Sequence, residues 1–249
     1  LPDGWMDALP RYVACTDKDK ASRNYSQDVI NALAPLLPEM MGGSADLTPS
    51  NKTNFKDCID YQAATPHGRY LRFGVREHGM AAICNGMAAH GGILPYCATF
   101  LNFVGYALGA IRVTSLSHFR VIYVMTHDSI GLGEDGPTHQ PIETLCSLRA
   151  MPNHLVLRPA DGNETSGAYA IALANPTRPV TIALSRQTLV HQPESSIENT
   201  MKGAYVLQEN ANAIATLIAT GSEVQLCTKA AAEMGNVRVV SMPCWELFE

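Results

Sequence analysis

The stretch Arg120 to Gln140, RVIYVMTHDSIGLGEDGPTHQ, decides the fold. Its first part, Val121 to Met125, is a short, unbroken, β-prone apolar run, the pattern of a central strand covered on both faces. The remainder, from Thr126, is polar and glycine-rich and keeps neither the helical nor the strand period. It reads as a long loop leaving that strand, and Pro141, suited to a first helical turn, opens the next helix.

Outward from this strand, helical and extended patterns alternate. Upstream, Ser22 caps a helix whose apolar stripe is Tyr25, Val29, Ile30 and Leu33, and Pro35 and Pro38 stop it. Tyr70 to Phe73 reads as a strand, Glu77 to His90 as a Met- and Ala-rich helix ended by Gly91 and Gly92, Ile93 to Ala98 as a strand, and Thr99 to Ser117 as a long helix. Downstream come a strand at Leu155 to Leu157, a helix whose Asp161 and Glu164 resemble a capping box, and a strand at Val180 to Leu184. Strands separated by helices of this length predict an α/β fold: a mainly parallel open sheet with helices on both faces.

Residues 1–190 form this first domain, and the polar stretch 191–202 reads as a linker. Within 203–249, Ile214 to Ala219, the turn Thr220-Gly221-Ser222, a helix closed by Gly235 and the strand Val237 to Met242 make one βαβ unit. Two parallel strands cannot bury both faces, so this part is expected to be the start of an incomplete second α/β domain. The chain begins with Leu1, which adds to the expectation of a fragment.

Of 249 residues 46% are apolar and 16% charged, enough to bury a substantial core. A net charge of −5 with no basic cluster argues against nucleic acid as a partner. No apolar run reaches the roughly 20 residues of a membrane span. Seven scattered cysteines without a Cys-x-x-Cys pair predict free thiols and a cytoplasmic setting. There is no Gly-Lys-Ser/Thr loop and no Gly-x-Gly-x-x-Gly. The spacing of His127, Asp135 and His139 matches no helical zinc motif.

In open α/β sheets ligands sit beyond the carboxyl ends of the strands. The loops there, Gly42 to Ser50, Arg72 to Gly79, Thr126 to Gln140 and Ser185 to Gln187, put Glu77, His127, Asp135, His139 and Arg186 along one edge. Each has an ordinary reading as well. Glu77 is an acidic residue in a first helical turn, loop histidines are usually solvated, and Phe100, Phe103 and Tyr106, every third residue, could be core or a face on which a flat heterocycle stacks.

The segments Gly42 to Asn51, Arg72 to Met80, Thr99 to Gly105 and above all His127 to Glu143 (HDSIGLGEDGPTHQPIE) resemble the transketolases, which use thiamine diphosphate to move two-carbon ketol units between sugar phosphates. The similarity runs from about Arg11 to the end. It corresponds to the family's middle, pyrimidine-binding domain and the beginning of its C-terminal domain, and implies the thiamine-diphosphate-binding fold. By this resemblance Glu77 shares a proton with the aminopyrimidine to raise the ylid, Phe103 stacks on that ring, and Phe100 and Tyr106 line the pocket walls. Asp46 is a further cofactor contact. His127 and His139 act on the substrate near the reacting carbons, Asp135 binds a sugar hydroxyl, and Arg23, Ser50 and Arg186 clamp the phosphate.

The family's Gly-Asp-Gly motif, which holds the diphosphate through Mg2+ (or Ca2+), does not occur here, so no metal site is expected in this chain. The resemblance further implies a place in the pentose phosphate pathway, a homodimer formed through the diphosphate-binding domain, and a cytoplasmic or plastid enzyme. Two other readings stand beside it: another thiamine-diphosphate enzyme of the same architecture, such as dihydroxyacetone synthase or a 2-oxo acid dehydrogenase subunit, or an inactive fragment serving as an interaction module.

Overall fold

The computed structural model describes residues 1–248. In chain order the first unit contains β1 (Lys20–Ala21), α1 (Ser22–Leu33), β2 (Met40–Ser44), α2 (Thr48–Asn51), β3 (Tyr70–Arg72), α3 (Glu77–His90), β4 (Leu94–Phe100) and α4 (Val104–Leu116). It continues with β5 (Ile122–Thr126), α5 (Thr144–Arg149), β6 (Leu155–Leu157), α6 (Gly162–Ala174), β7 (Val180–Leu184), β8 (Thr188–Leu189) and α7 (Ile197–Thr200). The second unit holds β9 (Tyr205–Gln208), β10 (Ala215–Ala219), α8 (Val224–Met234) and β11 (Val237–Ser241).

Six strands form one wholly parallel sheet in the order β3-β2-β4-β5-β7-β6. The expected central strand is β5, buried at every position and flanked by β4 and β7. Both faces are covered. On one side Val29, Ile30 and Leu33 of α1 and Ala168 to Leu173 of α6 pack on alternate strand residues such as Ile122, Val124 and Ile182. On the other, Met80, Ala81 and Cys84 of α3 and Ala107 and Ile111 of α4 cover Tyr123, Met125 and Ala183. Each fully buried Val, Leu, Ile or Met side chain among these contributes roughly 1.5 to 3 kcal/mol. Tyrosines are placed in this core only where the hydroxyl finds a partner: Tyr169 meets Ser26 at 2.6 Å, Tyr123 meets Thr114 at 2.6 Å, and Tyr96 donates to the Thr53 carbonyl at 3.0 Å.

Three local expectations are corrected. β4 runs on to Phe100 because Thr99 and Phe100, both β-prone, pair with Met125 and Thr126; a 3₁₀ turn at Leu101–Phe103 follows, and α4 begins only at Val104. The three aromatics therefore lie on a strand end, a turn and a helix rather than on one helical face. Gly42 and Gly43 belong to β2 rather than to the loop after it, since any Cβ there would strike the backbone of Tyr96 or Leu71. The helix expected at Pro141 opens instead at Thr144. At α6, Asp161 Oδ1 accepts from the Glu164 amide at 3.0 Å, while the Glu164 carboxylate reaches past the cap to the Ala160 amide at 2.7 Å.

The segment 191–202 is ordered against the first unit: α7 packs on α6 with Ile197 fully buried. Beyond it β9, missed by periodicity, pairs antiparallel with β11, giving a three-stranded sheet in the order β10-β11-β9. The two units are joined by polar contacts to two buried charged residues of the first, Arg158 and Glu164. Arg158 meets Asp128 at 2.7 Å and also pairs with Glu223, while Glu164 Oε1 accepts from Tyr205 at 2.8 Å and from Ser241.

Candidate functional site

Register sets the site. Phe100, Thr126 and Leu184 end β4, β5 and β7 side by side, and Ser44 and Arg72 end β2 and β3 in step, so the loops leaving these strands open on one edge. At the β3–α3 junction, Val75, Arg76, Glu77, His78 and Gly79 with Phe103 and Tyr106 line a cleft of about 700 Å³. Glu77 is 8% exposed, and among the described residues its carboxylate has no hydrogen-bond or ion-pair partner. A carboxyl group in a cleft walled by two aromatic rings, with no partner in the protein, suits a ligand that brings its own donor.

Next to the cleft the aromatic and imidazole rings form a connected wall. Phe100 stacks on His127 at 3.8 Å between centroids and on Phe103 at 5.6 Å. His139 approaches Phe103 edge-on at 5.1 Å, and Phe103 lies 6.0 Å from Tyr106. Phe100 thus supports this wall from behind and does not line the cleft. His127 is 3% exposed, contrary to the solvated norm for a loop histidine, and adopts a left-handed conformation at φ 59 that turns it back over the strand end. Its pKa is lowered to about 4, by burial first and then by the positive charge of Arg23; Asp135 opposes this, and Arg186 and His139 add smaller lowering effects. The four groups that act on it electrostatically are four of the residues singled out in the sequence.

Arg23 donates to the Ser50 carbonyl at 2.7 Å, so those two are joined, and its own pKa is lowered by burial and by Arg186. Neither Arg23 nor Arg186 has a carboxylate partner among the described residues, and Arg186 lies against Gly133 in the long loop. Two unpaired guanidinium groups near one another form a place for an anion. Asp46 is exposed in a left-handed conformation (φ 61) just beyond β2 and is not part of the cleft lining. Among the described residues no group of three or more His, Cys, Asp or Glu side chains could hold a metal ion.

Two features escaped the sequence. Asp128 and Arg158 form a buried pair under the His127 loop; an arginine and an aspartate at the ends of apolar strands were the available signal. Ser44, Asn51 and Thr126 are buried polar residues linked to one another beneath His127, and nothing in composition or spacing marks them.

The family model for the pyrimidine-binding domain of transketolase matches residues 18–192, and that for the transketolase-like C-terminal domain matches residues 203–249. The chain belongs to the transketolase family. A chloroplastic transketolase of Zea mays is 56% identical over 257 residues, covering 100% of this chain and 38% of the relative. Among solved structures, a Pichia stipitis transketolase in complex with sedoheptulose-7-phosphate superposes with a TM-score of 0.96 at 50% identity, covering 99% of this chain and 38% of that one. The Leishmania mexicana transketolase gives a TM-score of 0.96 at 51% identity, with 100% and 37% covered. The chain spans about a third to a half of the length of the curated transketolases it matches. No helix among the described residues is long and apolar enough to cross a membrane.

Proposed function

We propose that this chain supplies the pyrimidine-binding part of a transketolase, which moves a two-carbon ketol unit from a ketose phosphate to an aldose phosphate with thiamine diphosphate. The observation that carries this reading is the unpartnered carboxyl group of Glu77 in a cleft walled by Phe103 and Tyr106. Thiamine diphosphate, once bound, supplies the nucleophilic carbon and electron sink needed to break and make a carbon–carbon bond beside a carbonyl. Glu77 holds a proton against the aminopyrimidine nitrogen, and Phe103 and Tyr106 present aromatic surface to the ring. Phe100 keeps Phe103 and His127 in place.

His127, neutral at physiological pH, and His139 exchange hydrogen bonds and protons with the substrate hydroxyls, and Asp135 accepts from one of them. Arg23, seated by Ser50, and Arg186 hold the phosphate. Asp46 remains a cofactor contact from the loop after β2. Mg2+ or Ca2+ for the diphosphate is assigned to residues outside this chain. The proposed domain division remains 1–190 and 203–249, with 191–202 between them; the family matches over 18–192 and 203–249 lend it support.

Val75, Ile83, Tyr106, Val113 and Leu116 leave apolar surface exposed around α3 and α4, which suits burial against a second subunit and the homodimer this reading requires. The cytoplasm is the proposed compartment, and chloroplastic relatives support a plastid form. In the intact protein supplied with thiamine diphosphate, Glu77→Gln should reduce ketol transfer from fructose 6-phosphate by at least about 100-fold. A variant as active as the parent would defeat the proposal.

A further inference from the structure

Under His127 runs a continuous series of buried hydrogen bonds that reaches across three strands. His127 Nδ1 lies 2.8 Å from Thr126 Oγ1, Thr126 Oγ1 lies 2.6 Å from Asn51 Oδ1, Asn51 Nδ2 lies 2.9 Å from Ser44 Oγ, and Ser44 Oγ lies 3.2 Å from the carbonyl oxygen of Ala98. The Leu47 amide also donates to Ser44 Oγ, at 3.3 Å. Thr126, Asn51 and Ser44 are each no more than 1% exposed, so water does not offer them alternative partners.

The last acceptor fixes the direction of every bond before it. A backbone carbonyl oxygen only accepts, so Ser44 spends its one hydroxyl proton on Ala98 and must accept from its other neighbours. Asn51 therefore turns its NH2 toward Ser44 and its oxygen toward Thr126. Thr126 spends its single proton on that oxygen and can only accept from the imidazole. Turning the series round would leave Ser44 donating to Asn51 and would forfeit its bond to Ala98, whose carbonyl also accepts from the Ala45 amide at 2.9 Å, so this direction makes one more buried hydrogen bond.

We infer that Ser44, Asn51 and Thr126 are positioning residues that hold His127 with its proton on Nδ1, so that Nε2 meets the substrate as a proton acceptor. No partner for Nε2 exists among the described residues. Held this way, the ring accepts a hydrogen bond from a substrate hydroxyl and can take its proton, whereas the opposite tautomer would offer an N–H to a carbonyl or oxyanion. The inference rests on the ketol-transfer reading for its substrate, though not for its tautomer.

Neutron diffraction from crystals of the deuterated intact protein tests the tautomer directly. A deuteron on Nδ1 of His127 and none on Nε2 is expected; a deuteron on Nε2 overturns the inference. Kinetics test the consequence. Thr126→Val keeps the shape and removes the hydroxyl, and should lower kcat/KM for fructose 6-phosphate by about 10- to 100-fold while thiamine diphosphate affinity stays close to that of the parent; Tm falls as well, because Asn51 Oδ1 and His127 Nδ1 lose a buried partner. Thr126→Ser restores the hydroxyl and should recover most of the loss. Unchanged kcat/KM in Thr126→Val, or a loss that Thr126→Ser does not repair, overturns the positioning role. If the parent protein itself transfers no ketol unit, the functional reading fails, and the neutron result still decides the tautomer.

Discussion

The imidazole of His127 lies on the ring of Phe100, with centroids 3.8 Å apart and planes 29° from parallel. The contact follows from register: Phe100 is the last residue of β4 and pairs with Thr126, so the residue after Thr126 folds back over it. Phe100 is 5% exposed and also supports Phe103. Phe100→Ala should destabilise the fold by about 3 kcal/mol, read by urea unfolding, and Phe100→Leu by less, with both losing ketol transfer through a misplaced His127. Equal stability of Phe100→Ala and the parent would show that the ring is not a support.

The Arg158 cluster links the two units and seats the residue after His127. Because Asp128 is fully buried, Arg158→Met leaves an uncompensated carboxylate and should cost about 3 to 5 kcal/mol. Adding Asp128→Asn should return a large part of that loss, and a double-mutant cycle measures the coupling. Additive effects would mean that the pair contributes nothing jointly.

Protonation of His127 should favour unfolding. Its folded pKa of about 4 lies below the ordinary value of 6.5, so the unfolded chain binds more protons between these limits and stability falls as pH drops through them. Between pH 7 and pH 5 the group should remove about 2 kcal/mol. His154, also buried and lowered to about 3, acts in the same direction. Glu164, raised by burial and Asp161 to about 7, acts in the opposite one, since it takes up a proton on folding as pH falls. The difference between the parent and His127→Gln isolates the first contribution, and the variant should show the shallower acid loss in urea titrations at pH 7 and pH 5.

Charge-assisted contacts to phosphate are worth roughly 1.5 to 3 kcal/mol each. Arg23→Ala and Arg186→Ala should therefore each raise KM for fructose 6-phosphate by about 10- to 100-fold. Free fructose as donor should be affected far less. A similar change for both sugars would place the two arginines elsewhere in the mechanism.

The parallel sheet was legible because its strands are short apolar runs and its helices are bounded by proline, glycine and capping residues. The Thr99–Phe100 extension was not, because two β-prone residues beside a helical stripe fit either element until Met125 and Thr126 supply partners. β9 was missed because Tyr205 to Gln208 is only four residues long and, although burial alternates along it, the exposed Val206 is apolar and hides the alternation in the sequence. Place after a strand end brought Glu77, His127 and Arg186 forward as candidates, and the resemblance to the transketolases gave them their expected roles. Ser44, Asn51 and Thr126 come from three separate segments, and only folding brings their small polar side chains into one series.

Gly42 and Gly43 give β2 its close approach to Tyr96 on one side and Leu71 on the other. The next residue is Ser44, whose hydroxyl must reach the Ala98 carbonyl on the neighbouring strand. Two absent methyl groups thus govern, four links away, which nitrogen of an imidazole is left bare. An alanine at either position would wedge the strands apart and scramble that choice without touching any group that meets the sugar.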